Sequence, residues 1–321
     1  MTLRPFPDAE KFELKEKFVE RYSKITDWET FKKYTLSFLR KSIRANTLKI
    51  KADDLRKRLE KNWILTPVPW CPEGFFIEHK GGRRDVGNTI EHALGYYYVQ
   101  EAASMIPPLA LEPKPGELVL DMAASPGSKT SQIAQLMKNE GLVVANDVKG
   151  QRLAALGINL QRVGAHNTII TLMQGQQFKR TSLKFDKVLL DAPCTGTGTI
   201  RKSPKTIQMW NPGMVNRISR LQKKLIESAW HVLKPGGVLV YSTCSLEPQE
   251  NEEVVSHILE TEKDAKTEPI HLNLKNGGAI LEFEGKKYHK GVENCLRLWP
   301  QDNDTEGFFI AKIRKIKNSE E

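Results

Sequence analysis

No run of about 18 apolar residues occurs in this sequence, which argues against a chain that crosses a bilayer as a helix. The opening residues, MTLRPFPDAEKFELKEKF, mix charges of both signs around no apolar centre. A secretory signal is therefore not expected, and the cytoplasm is the expected compartment. Cysteine is scarce. Cys71, Cys194, Cys244 and Cys295 stand apart, with no C-x-x-C pair and no histidine at ligand spacing. Neither a metal site nor a disulfide framework is expected from them. The sequence also lacks G-x-G-x-x-G and G-x-x-x-x-G-K-S/T, which weakens the dinucleotide and nucleoside-triphosphate readings. Internal repeats and low-complexity tracts are absent too.

What is present is a chain able to bury a core, with 39% hydrophobic and 27% charged residues over 321 positions. The net charge is +10, and it is unevenly placed. Residues 1–60 hold 16 Lys/Arg against 10 Asp/Glu, so more than half of the excess sits in under a fifth of the chain. Such a segment suits a polyanionic partner, most simply a nucleic acid.

The periodicity predicts two units. Phe12, Leu14, Phe18, Val19 and Tyr22 recur at helical spacing, and a second such stretch follows Asp27. A strand at Arg44–Leu48, a short helix opening at Asp53-Asp54 and a turn-rich stretch through Pro67, Pro69, Pro72 and Gly74 complete an α+β unit, residues 1–95. From there to residue 321 the grammar changes. ELVLDM, GLVVAND, NTIITLM, FDKVLLDAP and GGVLVYST are short apolar runs, the first three each followed by an expected helix of ten or more residues. This alternation predicts a doubly wound α/β fold with a parallel sheet covered on both faces. NCLRLWP and GFFIAKIRK read as two further strands, one of them antiparallel, giving the seven-stranded Rossmann-like sheet of class I methyltransferases; the tail after Lys312 is expected to fray.

Ligands of such sheets bind beyond the carboxyl ends of the strands. Four segments fall there. DMAASPGSKT (121–130) breaks from a strand into small residues and opens a helix, where the backbone can approach a ligand. Asp147, at the end of the next strand, is placed to accept from ribose hydroxyls of an adenosine. DAPCTGTG and STCS put Cys194 and Cys244 after two strands expected to be neighbours, so both thiols should open onto one cleft with Asp191. The residues alone leave open which cysteine attacks.

With VQEAAS before them and YSTCSLEPQENE after, these segments resemble the signature of the Nop/Sun family of RNA cytosine-5 methyltransferases, over roughly residue 40 to the end. The resemblance implies S-adenosylmethionine as cofactor, Cys244 as nucleophile and Cys194 as the group assisting product release. It implies Asp191 beside N3 of the base and Lys129 favouring the thiolate. Cofactor residues carried over are Ala123, Ala124, Ser125, Pro126, Gly127, Ser128, Lys129, Asp147, Arg152 and Asp191. One departs from the pattern: Gln174 stands where an acid usually meets the adenine amine, although its carbonyl can still accept. The family's RANTLK-like segment assigns RNA contacts to Arg44, Asn46 and Lys49, extended by Arg180, Lys184, Arg201, Lys202 and Lys205. The expected partner is RNA, more like the transfer RNA of short archaeal members, taken by a monomer. The competing readings are the same reaction on ribosomal RNA, a related enzyme acting on DNA or protein, and a non-catalytic RNA-binding assembly factor.

Overall fold

The computed structural model describes residues 3–7, 9–83 and 85–317. Helices α1 (Glu16–Ser23) and α2 (Trp28–Thr35) come first. Their apolar residues Phe18, Tyr22 and Phe31 do not pack on the unit that follows in the chain. They form a cluster with Ile200, Ile207, Trp210, Leu246 and Trp299 of the large unit. Beneath that cluster Glu247, fully buried, accepts from Arg21 (2.7 Å), Tyr22 (2.9 Å) and Trp210 (2.8 Å).

The small unit consists of β1 (Ser42–Ala45), α3 (Ala52–Leu59), β2 (Trp63–Val68), β3 (Cys71–His79), α4 (Ile90–Ala93) and β4 (Tyr97–Val99). Its sheet is antiparallel, in the order β2-β3-β1-β4. The stretch expected to be rich in turns is thus the β2–β3 hairpin. Pro67 is tolerated because β2 is the edge strand, where a missing N–H interrupts no central ladder. The fourth strand lies past residue 95, so this sheet takes a strand from beyond the boundary read in the sequence.

After α5 (Ile106–Leu111) the chain runs β5 (Leu118–Asp121), α6 (Ser128–Leu136), β6 (Leu142–Asp147), α7 (Gly150–Val163), β7 (Thr168–Leu172) and β8 (Phe185–Asp191). Then follow α8 (Lys205–Met209), α9 (Pro212–His231), β9 (Leu233–Thr243), α10 (Glu252–Thr261) and β10 (Ala265–Glu268). The small hairpin β11 (Glu282–Phe283) and β12 (Lys286–Lys287), β13 (Leu296–Leu298), α11 (Pro300–Asn303) and β14 (Phe308–Lys315) close the fold. The large sheet has the order β10-β14-β9-β8-β5-β6-β7, with β13 added on β14. Strands β5 to β9 pair in parallel, while β14 runs antiparallel to β9, as the ending of the sequence suggests. The continuous apolar strands arise because alternate residues enter two cores. Leu120, Val188, Leu190 and Tyr241 face α9 and α10; Val119, Val143, Leu189 and Val240 face α5 and α6.

Three expectations fail here. The link from β7 to β8 holds one short 3-10 helix (Gly175–Arg180) instead of a long one, which leaves Ile170 and Leu172 on the edge strand exposed. Strand β10 was not foreseen; its AKTE lacks apolar alternation because it pairs at an edge, where Arg314 and Lys312 meet Glu268. The tail does not fray at Lys312, since β14 pairs with β10 through Lys315, and residues 318–321 lie outside those described.

Candidate active site

Chain order reverses beside β5: β6 and β7 extend to one side, and β8 returns on the other. The ends of β5, β8 and β9 therefore frame the switch point where ligands of such sheets bind. From β5 the chain passes through Asp121 into a loop closed by a cis Ser125–Pro126 peptide and by Gly127 at φ 103°, a conformation glycine takes without steric cost. Arg152 donates to the Ser125 carbonyl (2.5 Å) and pairs with Asp147 (3.2 Å). Asp147, buried at the end of β6, accepts from the backbone N–H groups of Ser125 (3.3 Å) and Lys149 (3.0 Å). Every residue carried over for cofactor binding from 123 to 129, with Asp147 and Arg152, thus belongs to one knitted loop. Gln174 is exposed at the end of β7, before the 3-10 helix.

Two features of this loop suit a cationic, adenosine-bearing ligand. Asp121 Oδ2 accepts from Thr130 (2.7 Å), but Oδ1 is buried with no hydrogen-bond partner. Burial pushes the Asp121 carboxyl up to about 7, against the lowering effect of the Thr130 bond. A carboxylate left unsatisfied in this way favours a ligand that brings positive charge or a donor. S-adenosylmethionine brings both.

Across the switch point, Asp191 and Ser242 stand opposite each other on β8 and β9. Ser242 donates to Asp191 Oδ1 (2.7 Å) and the Lys129 ammonium to Oδ2 (2.7 Å). Burial works against the charge of Lys129. Asp191, Cys244 and Asp121 outweigh it and hold the ammonium above its ordinary range. The Cys194 and Cys244 sulfurs are 3.2 Å apart, so the two thiols do share one cleft. Hydrogen bonding to Cys244, then burial, hold the Cys194 thiol well above the usual range. Cys194 therefore keeps its proton.

A residue without an assigned role organises both loops. Glu250 Oε2 accepts from the N–H of Thr195 (2.8 Å), next to Cys194, and Oε1 from the hydroxyls of Thr195 and of Ser245 (3.0 Å), next to Cys244. Gln222 adds a fourth donor at 3.2 Å. Burial pushes this carboxyl up to about 7 despite those bonds. Glu250 stands in the EPQEN run, visible in the sequence, but only the fold shows which loops it joins. The loops also meet backbone to backbone: Gly198 donates to the Cys244 carbonyl (2.9 Å) and Gly307 to that of Gly198 (2.9 Å). A Cβ at Gly198 would lie 2.1 Å from the Gly307 oxygen, so no larger residue fits. Glu250→Ala is expected to lower kcat by roughly 100-fold, the scale of a mispositioned reacting group, with little change in KM. Partial recovery in Glu250→Gln checks that the bonds, rather than bulk, matter.

The model of the family described as 16S rRNA methyltransferase RsmB/F matches residues 108–314, and that of the N-terminal domain of 16S rRNA methyltransferase RsmF matches residues 14–102. The chain belongs to the RsmB/F family. The tRNA (cytosine(49)-C(5))-methyltransferase of Pyrococcus abyssi is 50% identical over 94% of this chain and 96% of its own. The ribosomal RNA small subunit methyltransferase F of Vibrio parahaemolyticus is 48% identical, but this chain spans only 57% of its length. Among solved structures, a methyltransferase homolog protein from Pyrococcus horikoshii superposes with a TM-score of 0.86 at 40% identity, covering 96% of this chain and 97% of the other.

In this RsmB/F member the residues assigned to RNA stand elsewhere than expected. Arg44 is buried, and it donates to Gln100 (2.8 Å), Ser131 (2.8 Å), Ser128 (3.4 Å) and Gln135. It ties β1 to α6. Burial brings its pKa down to about 10, still charged at neutral pH. Asn46 is equally enclosed, donating to the carbonyls of Gly95 (2.8 Å) and Val163 (2.7 Å). Lys49 is exposed, but its ammonium closes onto the carbonyls of Leu94 (3.0 Å) and Arg162 (2.8 Å). Arg201 is buried as well, paired with Asp304 at 2.7 Å. These are fasteners between units. Arg180, Lys184, Lys202 and Lys205 remain on the surface, Lys184 donating to the His231 carbonyl. Among the described residues there is no helix long and apolar enough to cross a membrane, and no group of three His, Cys, Asp or Glu set to hold a metal ion.

Proposed function

We propose that this protein methylates carbon 5 of a cytosine in RNA, with transfer RNA as the substrate class, through a covalent bond from Cys244 to carbon 6. The observation that carries this reading is the pair of sulfurs 3.2 Å apart, beside the Lys129–Asp191 pair, at the switch point of the sheet. The 50% identity with the Pyrococcus abyssi tRNA enzyme over 94% of this chain supports transfer RNA. Four free thiols suit a cytoplasmic setting. The small unit, with β4 as its last strand, we take to end after Val99, and the methyltransferase unit to follow.

S-adenosylmethionine, held by the 123–129 loop with Asp121, Asp147, Arg152, Gln174 and Asp191, supplies an electrophilic methyl group. Carbon 5 of cytosine is a poor nucleophile until sulfur adds at carbon 6 and turns the ring into an enamine. Cys244 adds as the thiolate, and the Lys129 ammonium favours its charge. Asp191 accepts from the exocyclic amine and from N3 as the latter gains a proton, a bond that strengthens as charge develops. After methyl transfer the carbon 5 proton passes to solvent water, its electron pair forms the carbon 5–carbon 6 double bond as the carbon–sulfur bond breaks, and N3 gives back the proton it gained. Cys194, its proton in place, donates to the departing sulfur. Because both faces of the base are used, the cytosine must leave its stack.

Incubation with methyl-labelled S-adenosylmethionine and bulk transfer RNA, followed by nucleoside analysis, tests the reading. Label in 5-methylcytosine is the expected result. Label only from ribosomal RNA would change the substrate, and no label from either, with cofactor bound, would favour an assembly factor.

A further inference from the structure

We propose that the small sheet carries an RNA subsite of its own, which holds one unpaired nucleotide of the substrate strand next to the target cytosine. This rests on the RNA-methylation reading and replaces the contacts that Arg44 and Asn46 cannot make. A cavity of about 190 Å³ opens there, walled by Phe38, Arg40, Trp63, Phe76, His79 and Arg83. The Arg40 guanidinium lies over the Phe76 ring, 3.6 Å from its centroid, and so presents a flat cationic surface. Trp63 is set edge-on against His79 at 4.7 Å. Ile64, on the same rim, is exposed. Arg4, Arg40, Lys41 and Arg83 border the cavity against Glu78, Asp304 and, paired with Arg83, Asp85, a rim of net positive charge that favours a polyanion over a protein or an apolar ligand. Trp63 and Phe76 are buried beneath, and the half-buried planes of Phe38, Arg40 and His79 among cations are of the kind on which bases of a single-stranded nucleic acid stack.

The cavity is joined to the reacting sulfurs through one short segment. Asp304 stands in its wall and pairs with Arg201 (2.7 Å) and Arg40 (3.8 Å). Four residues on, the Phe308 ring lies 5.4 Å from the Lys129 ammonium, and between them Gly307 bonds to Gly198, which bonds to Cys244. Four residues span at most about 14 Å, so the subsite and the cleft are within reach of one short stretch of RNA.

The double variant Lys41→Glu, Arg83→Glu tests this in the full-length protein, because both residues are exposed and outside the catalytic machinery. Dissociation constant and KM for transfer RNA are expected to rise about tenfold or more, and the log–log salt slope of binding to fall by about 2. The rate at saturating RNA should stay within about twofold. Ile64→Glu, which adds a charge repelled by phosphate without removing a cation, should weaken binding in the same direction. With transfer RNA containing 4-thiouridine, photocross-links are expected on Phe38, Trp63, Phe76 or His79. Unchanged affinity and slope, or cross-links elsewhere, would overturn the proposal. Binding and cross-linking need no turnover, so a failure of the methylation reading shows separately, as wild-type protein that binds RNA but forms no 5-methylcytosine.

Discussion

Cys244→Ala is expected to reduce methyl transfer by roughly four orders of magnitude or more, the scale on which removal of a covalent nucleophile acts. Cys194→Ala is expected to behave differently. It keeps the sulfur that adds to carbon 6 but loses the proton donor 3.2 Å away, so the carbon–sulfur bond forms and then persists. A complex of enzyme and RNA that survives denaturing electrophoresis should accumulate in Cys194→Ala and be absent from Cys244→Ala. The ordering follows from the raised pKa of Cys194, which leaves that thiol protonated and able to donate. If the stable complex forms with Cys244→Ala instead, the two sulfurs exchange roles.

Arg44→Ala should act on stability and not on RNA affinity. The side chain is 1% exposed and donates to four acceptors, two of which are glutamine carbonyls on separate segments. Each hydrogen bond to a charged group contributes about 1.5–3 kcal/mol, part of which is offset because the variant no longer buries a cation. A net loss of about 3 kcal/mol is expected, or a fall in Tm of roughly 6–12 °C. Among molecules that remain folded, the salt dependence of RNA binding should match the wild type. A salt slope reduced by about 1, with Tm unchanged, would mean that Arg44 meets phosphate after all.

The chemistry was legible in the sequence because it sits at strand ends, and strand ends are marked by short apolar runs that stop at Asp121, Asp147, Asp191 and Thr243. Once β8 and β9 are read as neighbours, the meeting of Cys194 and Cys244 follows from topology. Arg44 and Asn46 stand inside the protein, against the expectation of surface contacts, for a physical reason. Arg44 and Asn46 occur in a basic stretch, and a lone cation there looks like surface; the acceptors that enclose them, Gln100, Gln135 and the Val163 carbonyl, are about 55 to 120 positions away. Glu250 is visible in its EPQEN run, but its task is not, because its partners Thr195 and Ser245 lie on two loops that meet only in space. The hairpin of β2 and β3 was hidden by prolines that an edge strand accommodates.

The placement of α1 and α2 bears on how members of this family can be recombined. These helices precede the small sheet in the chain but lie over the large unit, and Arg21 and Tyr22 end on Glu247, three residues after Cys244. A chimaera joined near residue 95 would carry its first helices from one parent and the surface beneath them from the other. To exchange the small unit between members, the graft must begin after Thr35 and leave α1 and α2 native to the large unit. They belong to the scaffold behind Cys244, whatever their position in the gene.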